Sequence, residues 1–124
     1  MKKKDIWIAD LTHTAQGISA NTFPLGASFV YSYSKLHLDK EFDFKLFKFP
    51  KHLSKALNDN TPAMLCFSAY SWNFELSYIF ASLAKEKNPE LIIIFGGPNF
   101  PTEDNEKIDF LKKSPFIDFF IELE

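Results

Sequence analysis

Hydrophobic residues in this chain fall into five short runs, separated by turn-rich stretches and by stretches of helical periodicity. Short apolar runs with β-branched and aromatic residues predict β-strands. The third and fourth runs are almost wholly apolar, which is typical of parallel strands buried on both faces. The second alternates with charged residues and predicts a partly exposed strand near a sheet edge. In chain order the predicted strands are Ile6–Leu11, Phe42–Phe47, Pro62–Tyr70, Leu91–Phe95 and Phe116–Ile121.

The stretches between these runs predict four helices, at Thr22–Leu38, Pro50–Leu57, Trp72–Lys87 and Thr102–Lys113. The third helix carries one apolar stripe that we expect to face the sheet. The stripe consists of Trp72, Leu76, Ile79, Phe80 and Leu83. The first helix has two apolar faces, so we expect it to be covered on two sides. One face consists of Phe23, Ala27, Val30 and Leu36, and the other of Leu25, Phe29 and Tyr33.

Strands that alternate with helices predict a parallel sheet with right-handed crossovers. Five such units favour a three-layer, doubly wound α/β fold of the flavodoxin-like or Rossmann-like kind, with strand order 2-1-3-4-5. The 124 residues suit a single domain. Ligands of such sheets bind at the carboxyl ends of the strands, near the point where the strand order reverses. The candidate site is therefore formed by the loops Thr12–Gly17, Ser68–Asn73 and Gly96–Pro98.

Composition narrows the classes of partner. A hydrophobic content of 46% with 15 phenylalanines excludes a disordered chain. The net charge of -2 gives no field for nucleic acid or an anionic membrane, and no apolar segment is long enough to span a bilayer. The basic residues are all lysine, so a bidentate arginine site for phosphate is absent. The single cysteine, Cys66, lies in an apolar run, which excludes an internal disulfide and favours a core role in a reducing cytoplasm.

Several segments together resemble the cobalamin-binding-type domain that precedes the catalytic part of many radical SAM proteins. Leu91-Ile-Ile-Ile-Phe-Gly-Gly-Pro-Asn-Phe-Pro101, followed by a helix and Phe116-Ile-Asp-Phe-Phe-Ile-Glu122, is similar to the end of that domain. Phe23-Pro-Leu-Gly-Ala27 and Cys66-Phe-Ser-Ala-Tyr70 are similar to two earlier segments. The resemblance spans nearly the whole chain. It implies a corrinoid over the strand ends, with its nucleotide tail between sheet and helices.

The resemblance implies roles for particular residues. Gly96 and Gly97, followed by Pro98, would let backbone approach the cofactor, although a tight strand-to-helix turn explains glycine equally well. Ser68 would hydrogen-bond a polar atom of the tail, and Tyr70 is a further cofactor-binding candidate. The remaining cofactor-binding candidates are Thr12, His13 and Gly17.

His13 is the candidate cobalt ligand, but its surroundings depart from the family pattern. Proteins with a histidine ligand carry Asp-x-His-x-x-Gly, whereas this chain has Asp10-Leu-Thr-His13-Thr-Ala-Gln-Gly17, with both gaps one residue longer. A solvated or capping loop histidine is the competing interpretation. His37 and His52 are expected at the surface. The cysteine motif for a 4Fe-4S cluster is absent, so SAM and that cluster would belong to a catalytic part outside this chain.

Two other functions stay open. A flavin-binding module would use hydroxyls and a glycine near the first helix to hold the phosphate of FMN. Those residues are Thr12, Thr14, Gly17, Ser19 and Thr22. A scaffold of the same fold that binds no cofactor is the third hypothesis. A phosphoacceptor receiver domain is rejected, because Ser68 and Tyr70 follow the third strand where that class needs aspartate.

No predicted helix follows the fifth strand. We therefore expect an N-terminal fragment of a longer radical SAM protein, whose catalytic domain is the missing partner. We also expect the uncovered fifth strand and the outer face of the first helix to favour a homodimer. Phe74 and Tyr78 lie off the predicted stripe of the third helix and are a further candidate docking surface.

Overall fold

The computed structural model describes residues 2–14 and 22–122. Within them, five strands alternate with four helices, and all neighbouring strands pair in parallel in the order β2-β1-β3-β4-β5. The predicted doubly wound α/β fold is confirmed. The elements are β1 (Lys4–Ala9), α1 (Leu25–Leu38), β2 (Phe42–Phe47), α2 (Pro50–Asp59), β3 (Met64–Ser68), α3 (Phe74–Lys87), β4 (Ile92–Gly96), α4 (Asp104–Lys113) and β5 (Phe119–Ile121).

One side of the sheet is closed by α2, α3 and α4, and we call it the closed side. Alternate residues of the central strands point to this side. Trp7, Leu65, Ile93 and Phe95 are fully buried there, packed with residues of α2 and α3. Phe95 contacts Phe67 with ring centroids 5.0 Å apart. The main hydrophobic core therefore lies on this side.

The opposite side carries α1, and we call it the open side. Here α1 packs mainly against β2 and also against β1, whose Ile6 and Ile8 are buried. Farther along the sheet, Ile94 of β4 pairs in register with Phe119 of β5, and Phe119 is 60% exposed. No helix of the described residues lies over this part of the sheet. Among the described residues, helices thus cover both faces of the sheet only at its β2 and β1 end.

Helix α1 faces the sheet with different residues from those predicted. Of the predicted face, only Ala27 is buried, while Phe23, Val30 and Leu36 are exposed. The other inward positions are Ser28, Tyr31 and Ser34, which are partly buried. Small residues let the helix axis approach the strands closely, so they occupy the contact and the larger side chains point outward. The helix begins at Leu25 after Pro24, not at Thr22.

Helix α3 shows the same kind of correction. The predicted stripe is wrong, because Trp72, Ile79 and Leu83 are exposed. Trp72 precedes the helix, which begins at Phe74. The buried positions keep the predicted spacing but lie one residue later, and only Phe80 is common to both sets. They are Asn73, Ser77, Phe80, Ala81 and Ala84.

Phe74 and Tyr78 are not an exposed docking surface. Phe74 packs against Phe95 and Phe110, and Tyr78 packs against Phe116. These aromatic side chains seal the outer part of the closed side, between α3, α4 and the strands. In the described residues, no helix is long and apolar enough to cross a membrane.

Candidate functional site

Three loops meet at the carboxyl edge of the sheet, after β1, β3 and β4. Because β1, β3 and β4 are parallel neighbours, their last residues lie side by side at one edge. Ser68 pairs in register with Gly96, and the backbone N–H of Ala69 donates to the carbonyl of Gly96 at 2.6 Å. The loops that were predicted to form a site are therefore brought together where they are described.

Asn73 joins the loop after β3 to the loop after β1. Its side chain is fully buried. Nδ2 donates to the carbonyl of Leu11 at 3.1 Å and to a carboxylate oxygen of Asp10 at 3.4 Å, while Oδ1 accepts the N–H of Tyr70 at 2.8 Å. A buried amide with each of its polar atoms satisfied holds two loops in one arrangement.

Gly97 sets the contact between the loops after β3 and β4. Its φ of +119° is a conformation that other residues rarely adopt. A Cβ there would lie 2.7 Å from the carbonyl oxygen of Ala69, which accepts the N–H of Asn99 at 3.2 Å. A Cβ on Gly96 would meet only ordinary contacts, at 3.7 Å or more. The backbone therefore requires glycine at position 97, whereas position 96 has room for a side-chain carbon on the open side of the sheet.

Two stacked aromatic rings stand at this edge. The rings of Tyr70 and Trp72 are 4.5 Å apart and nearly parallel, at 7°. Trp72 is 63% exposed, although large aromatic side chains usually bury most of their surface. His13 lies beside them, and its Nε2–H donates to the carbonyl oxygen of Trp72 at 2.5 Å. The loop after β1 is therefore hydrogen-bonded to the backbone that carries the exposed Trp72 ring.

Thr12, Ser68, Gly96 and Pro98 lie at the same edge. Thr12 is half-buried, and its backbone N–H donates to the carbonyl of Lys48 at 3.0 Å, which links the first loop to the end of β2. Ser68 and Gly96 are half-buried on the open side, and Pro98 is exposed. Gly17 lies outside the described residues. His37 and His52 are exposed, as predicted.

The environment shifts the pKa of two acidic groups near the sheet. Burial raises the pKa of the Asp10 carboxyl, and the charge of Lys48 opposes that rise. Burial raises the pKa of the Cys66 thiol to about 11, which makes it a poor nucleophile. In the described part of the chain, no group of three or more potential ligand side chains is arranged to hold a metal ion.

Sequence reasoning missed two residues of this edge. From the sequence alone, Asn73 is only the last residue of a predicted loop, yet in the structure its side chain holds two loops together. The helical periodicity places Trp72 in the sheet-facing stripe of the third predicted helix. No local signal separates Trp72 from that helix, which is predicted to begin at this residue.

Comparison with known proteins gives two partial matches. The chain is 33% identical over 60 residues to a 2-(S-pantetheinyl)-carbapenam-3-carboxylate methyltransferase of Streptantibioticus cattleyicolor. It is 35% identical over 57 residues to the cobalamin-dependent radical SAM methyltransferase TokK of Streptomyces tokunonensis. The matches take in 48% and 46% of this chain and 8% of each relative. No protein-family profile matches the chain. The chain is therefore similar to a small part of two methyltransferases, one of them cobalamin-dependent.

Proposed function

We propose that this domain holds a corrinoid at the carboxyl edge of its sheet. The observation that carries the proposal is the joined set of loops after β1, β3 and β4, with an exposed aromatic pair, in a chain similar to part of a cobalamin-dependent enzyme. Ligands of open parallel sheets bind at this edge. Fold alone does not determine a ligand, so the argument depends on the residues.

The residues at this edge fit a large, flat, mostly apolar macrocycle. Trp72 offers an exposed aromatic face, and its stacking on Tyr70 fixes that face in place. Beside it, Gly96 leaves room without a side chain and Ser68 adds a hydroxyl next to that space. Both lie on the open side, which gives a nucleotide tail a path along the sheet. A bound corrinoid would supply cobalt chemistry that no side chain of this chain provides.

His13 has a positioning role in this proposal. Its Nε2–H is engaged by the Trp72 carbonyl, so ligation of cobalt through Nε2 would require that hydrogen bond to break. The bond instead fixes the backbone that carries the Trp72 ring. Replacement of His13 should therefore weaken corrinoid binding modestly and leave the spectrum of the bound corrinoid unchanged. The earlier hypothesis of a histidine–cobalt bond predicts a changed spectrum.

We further propose that the catalytic chemistry belongs to a larger enzyme of the radical SAM kind. The chain spans 8% of the length of each of the two relatives. With Cys66 as its one cysteine, it lacks the ligands for a 4Fe-4S cluster. In this view the domain presents its cofactor to a catalytic part that binds SAM and the cluster.

An optical titration of the purified chain tests the proposal. Hydroxocobalamin, methylcobalamin and FMN are titrated in parallel, and retention through a desalting column is measured. We expect retention of a corrinoid by the wild-type chain. Trp72→Ala should weaken binding at least tenfold, about the effect of losing a central aromatic contact. Ile79→Ala, which changes an exposed apolar residue of α3 far from the edge, should bind as the wild type does.

The other outcomes separate the alternatives. Retention of FMN alone would favour the flavin hypothesis. Retention of neither ligand by a folded chain would reject cofactor binding and favour the scaffold hypothesis. Corrinoid retention with a spectrum that changes in His13→Ala would restore His13 as the cobalt ligand.

A further inference from the structure

Helix α1 carries a continuous apolar face that points away from the sheet. Its members recur at i, i+4, i+8 and i+11, and between 56% and 75% of each is exposed. We call this face the outer stripe: Leu25, Phe29, Tyr33 and Leu36. A surface helix normally presents its polar residues outward. The outer stripe therefore exposes apolar side chains where a solvated helix face carries polar ones.

A second apolar surface lies on the same side of the sheet. Ile92 and Ile94 of β4 and Phe119 and Ile121 of β5 form what we call the open face. Phe119 is 60% exposed and Ile121 is 59% exposed. β5 is also an edge strand. Exposed apolar edges of this kind are usually covered or charged, and this one is neither among the described residues.

Neither surface contains a charged residue, so their contact would bury no charge. The outer faces of α2 and α4 differ, and α3 exposes Glu75 and Glu86 besides Ile79 and Leu83. α2 exposes Lys51 and Lys55, and α4 exposes Glu106, Asp109 and Lys112. Those helices suit solvent contact, whereas the outer stripe suits a dry contact. Contiguous exposed apolar surface with this composition marks an interaction site.

We propose that a second copy of this chain covers both surfaces in a reciprocal dimer. The outer stripe of each copy packs on the open face of the other, so the same contact is made twice about a two-fold axis. Among residues 2–14 and 22–122, the outer stripe is a helix face that no sheet covers, and the open face is a sheet surface that no helix covers. Each surface supplies what the other lacks, and α1 becomes covered on two sides.

The exposed area favours this arrangement over pairing of the two outer stripes alone. At about 100 Å² for each large exposed side chain, stripe-to-stripe pairing would bury only about 800 Å², the size of a lattice contact. The reciprocal arrangement adds three exposed side chains of the open face on each copy, Ile92, Phe119 and Ile121. It therefore buries about 1,400 Å², within the range of specific interfaces. The proposal does not rest on cofactor binding.

Sedimentation equilibrium of the cofactor-free chain, with two oppositely charged variants, tests this inference. The wild-type mass should rise with concentration from 14.3 kDa toward twice that value. Phe29→Lys damages the outer stripe and Phe119→Glu damages the open face, and each alone should raise the dimer Kd at least tenfold. Both residues are largely exposed, and far-UV circular dichroism checks that the variants fold. Ile79→Lys adds the same charge on α3 and should dimerise normally.

Mixing the two damaged variants gives the decisive result. In a reciprocal dimer of Phe29→Lys with Phe119→Glu, one contact is entirely wild type, and the introduced lysine and glutamate meet in the other. The mixture should therefore dimerise although neither component does. A wild-type chain that stays monomeric at several hundred micromolar would overturn the proposal. Damaged variants that dimerise normally, or that fail to dimerise when mixed, would overturn it as well.

Discussion

On the closed side of the sheet, Phe95 is fully buried against Phe67, Phe74 and Phe120, whereas on the open side Phe119 keeps 60% of its surface exposed. Both residues belong to neighbouring parallel strands. The difference comes from the helices, because in the part of the chain that the structure describes α2, α3 and α4 cover one side and α1 alone covers part of the other. Stability of the isolated chain should therefore come mainly from the closed side, and binding functions should concentrate on the open side and the carboxyl edge.

The largest expected effect comes from truncating an aromatic residue on each side. Phe95→Ala should lower the free energy of unfolding by about 3–5 kcal/mol, because it removes a buried ring and leaves a cavity. Phe119→Ala should cost less than about 1 kcal/mol in the monomer, because most of that ring is already exposed. Urea denaturation at low protein concentration measures both. Equal losses would contradict the contrast between the sides.

The pair of glycines after β4 gives the next largest effect. Gly97→Ala should destabilise the chain by about 2 kcal/mol, because its φ of +119° is strained for alanine and the new Cβ would collide with Ala69. Gly96→Ala is the matched control and should be close to neutral for folding, since space for a Cβ exists there. Urea denaturation of the two variants compares them. A neutral Gly97→Ala would show that the loops after β3 and β4 do not need this close contact.

The reactivity of the Cys66 thiol measures how well β3 is protected from solvent on the open side of the sheet. With its pKa raised to about 11, the thiol has about a hundredfold less thiolate at pH 8 than a group at 9.0, the ordinary value. A thiolate of higher pKa is intrinsically more nucleophilic, which offsets part of this decrease in thiolate. Alkylation of Cys66 by iodoacetamide should therefore be at least about tenfold slower in the folded chain than in the chain unfolded by urea. Equal rates in the folded and unfolded chain would mean that β3 is not protected on the open side.

The smallest expected effect concerns Asp10. Burial raises its folded-state pKa above the ordinary value of 3.8, so the folded chain keeps this proton to higher pH than the unfolded chain does. Its contribution to stability is present below pH 3.8 and is lost as the pH rises through the folded pKa. Asparagine does not ionise, so the Asp10→Asn variant does not lose stability at this position as the pH rises. The variant should gain about a few tenths of a kcal/mol relative to wild type between pH 4 and pH 7, because the group is half exposed.

Urea midpoints at pH 4 and pH 7 measure the Asp10 effect. Lys48→Gln is a useful companion variant, because removing the opposing charge should raise the pKa of Asp10 further and enlarge the pH dependence. A relative loss of stability by Asp10→Asn as the pH rises would show that the carboxylate is favoured, not disfavoured, in the folded chain.

The sequence predicted the strands and their order, because buried parallel strands need apolar side chains on both faces and β3 and β4 are apolar almost throughout. Helix orientation was predicted poorly. In α3, Ser77 and Ala81 are buried, since close helix-to-sheet packing favours small side chains, and Asn73, just before the helix, is buried with hydrogen-bond partners. A search for large apolar residues therefore selected positions that are exposed, such as Ile79 and Leu83.

The candidate site was predicted at the level of loops but not of contacts. Parallel strands place their carboxyl ends together, so the three loops follow from topology. The bonds from Asn73 to Leu11 and from His13 to Trp72 span about sixty residues of chain, and no local pattern encodes such pairs. The glycine pair after the fourth predicted strand signals a turn, but the sequence does not show that the positive φ falls at Gly97, while Gly96 continues β4.

The most direct test of the account is a two-dimensional NMR titration of the labelled chain with methylcobalamin, which maps binding onto individual backbone amides. A corrinoid at the carboxyl edge should shift the amide signals of residues 12–13, 69–73 and 96–99 and of open-side residues near Ser68 and Gly96. The amide signals of α2 should stay unchanged. The absence of shifts at ligand excess, or shifts centred on α2 around His52, would contradict a corrinoid site at this edge.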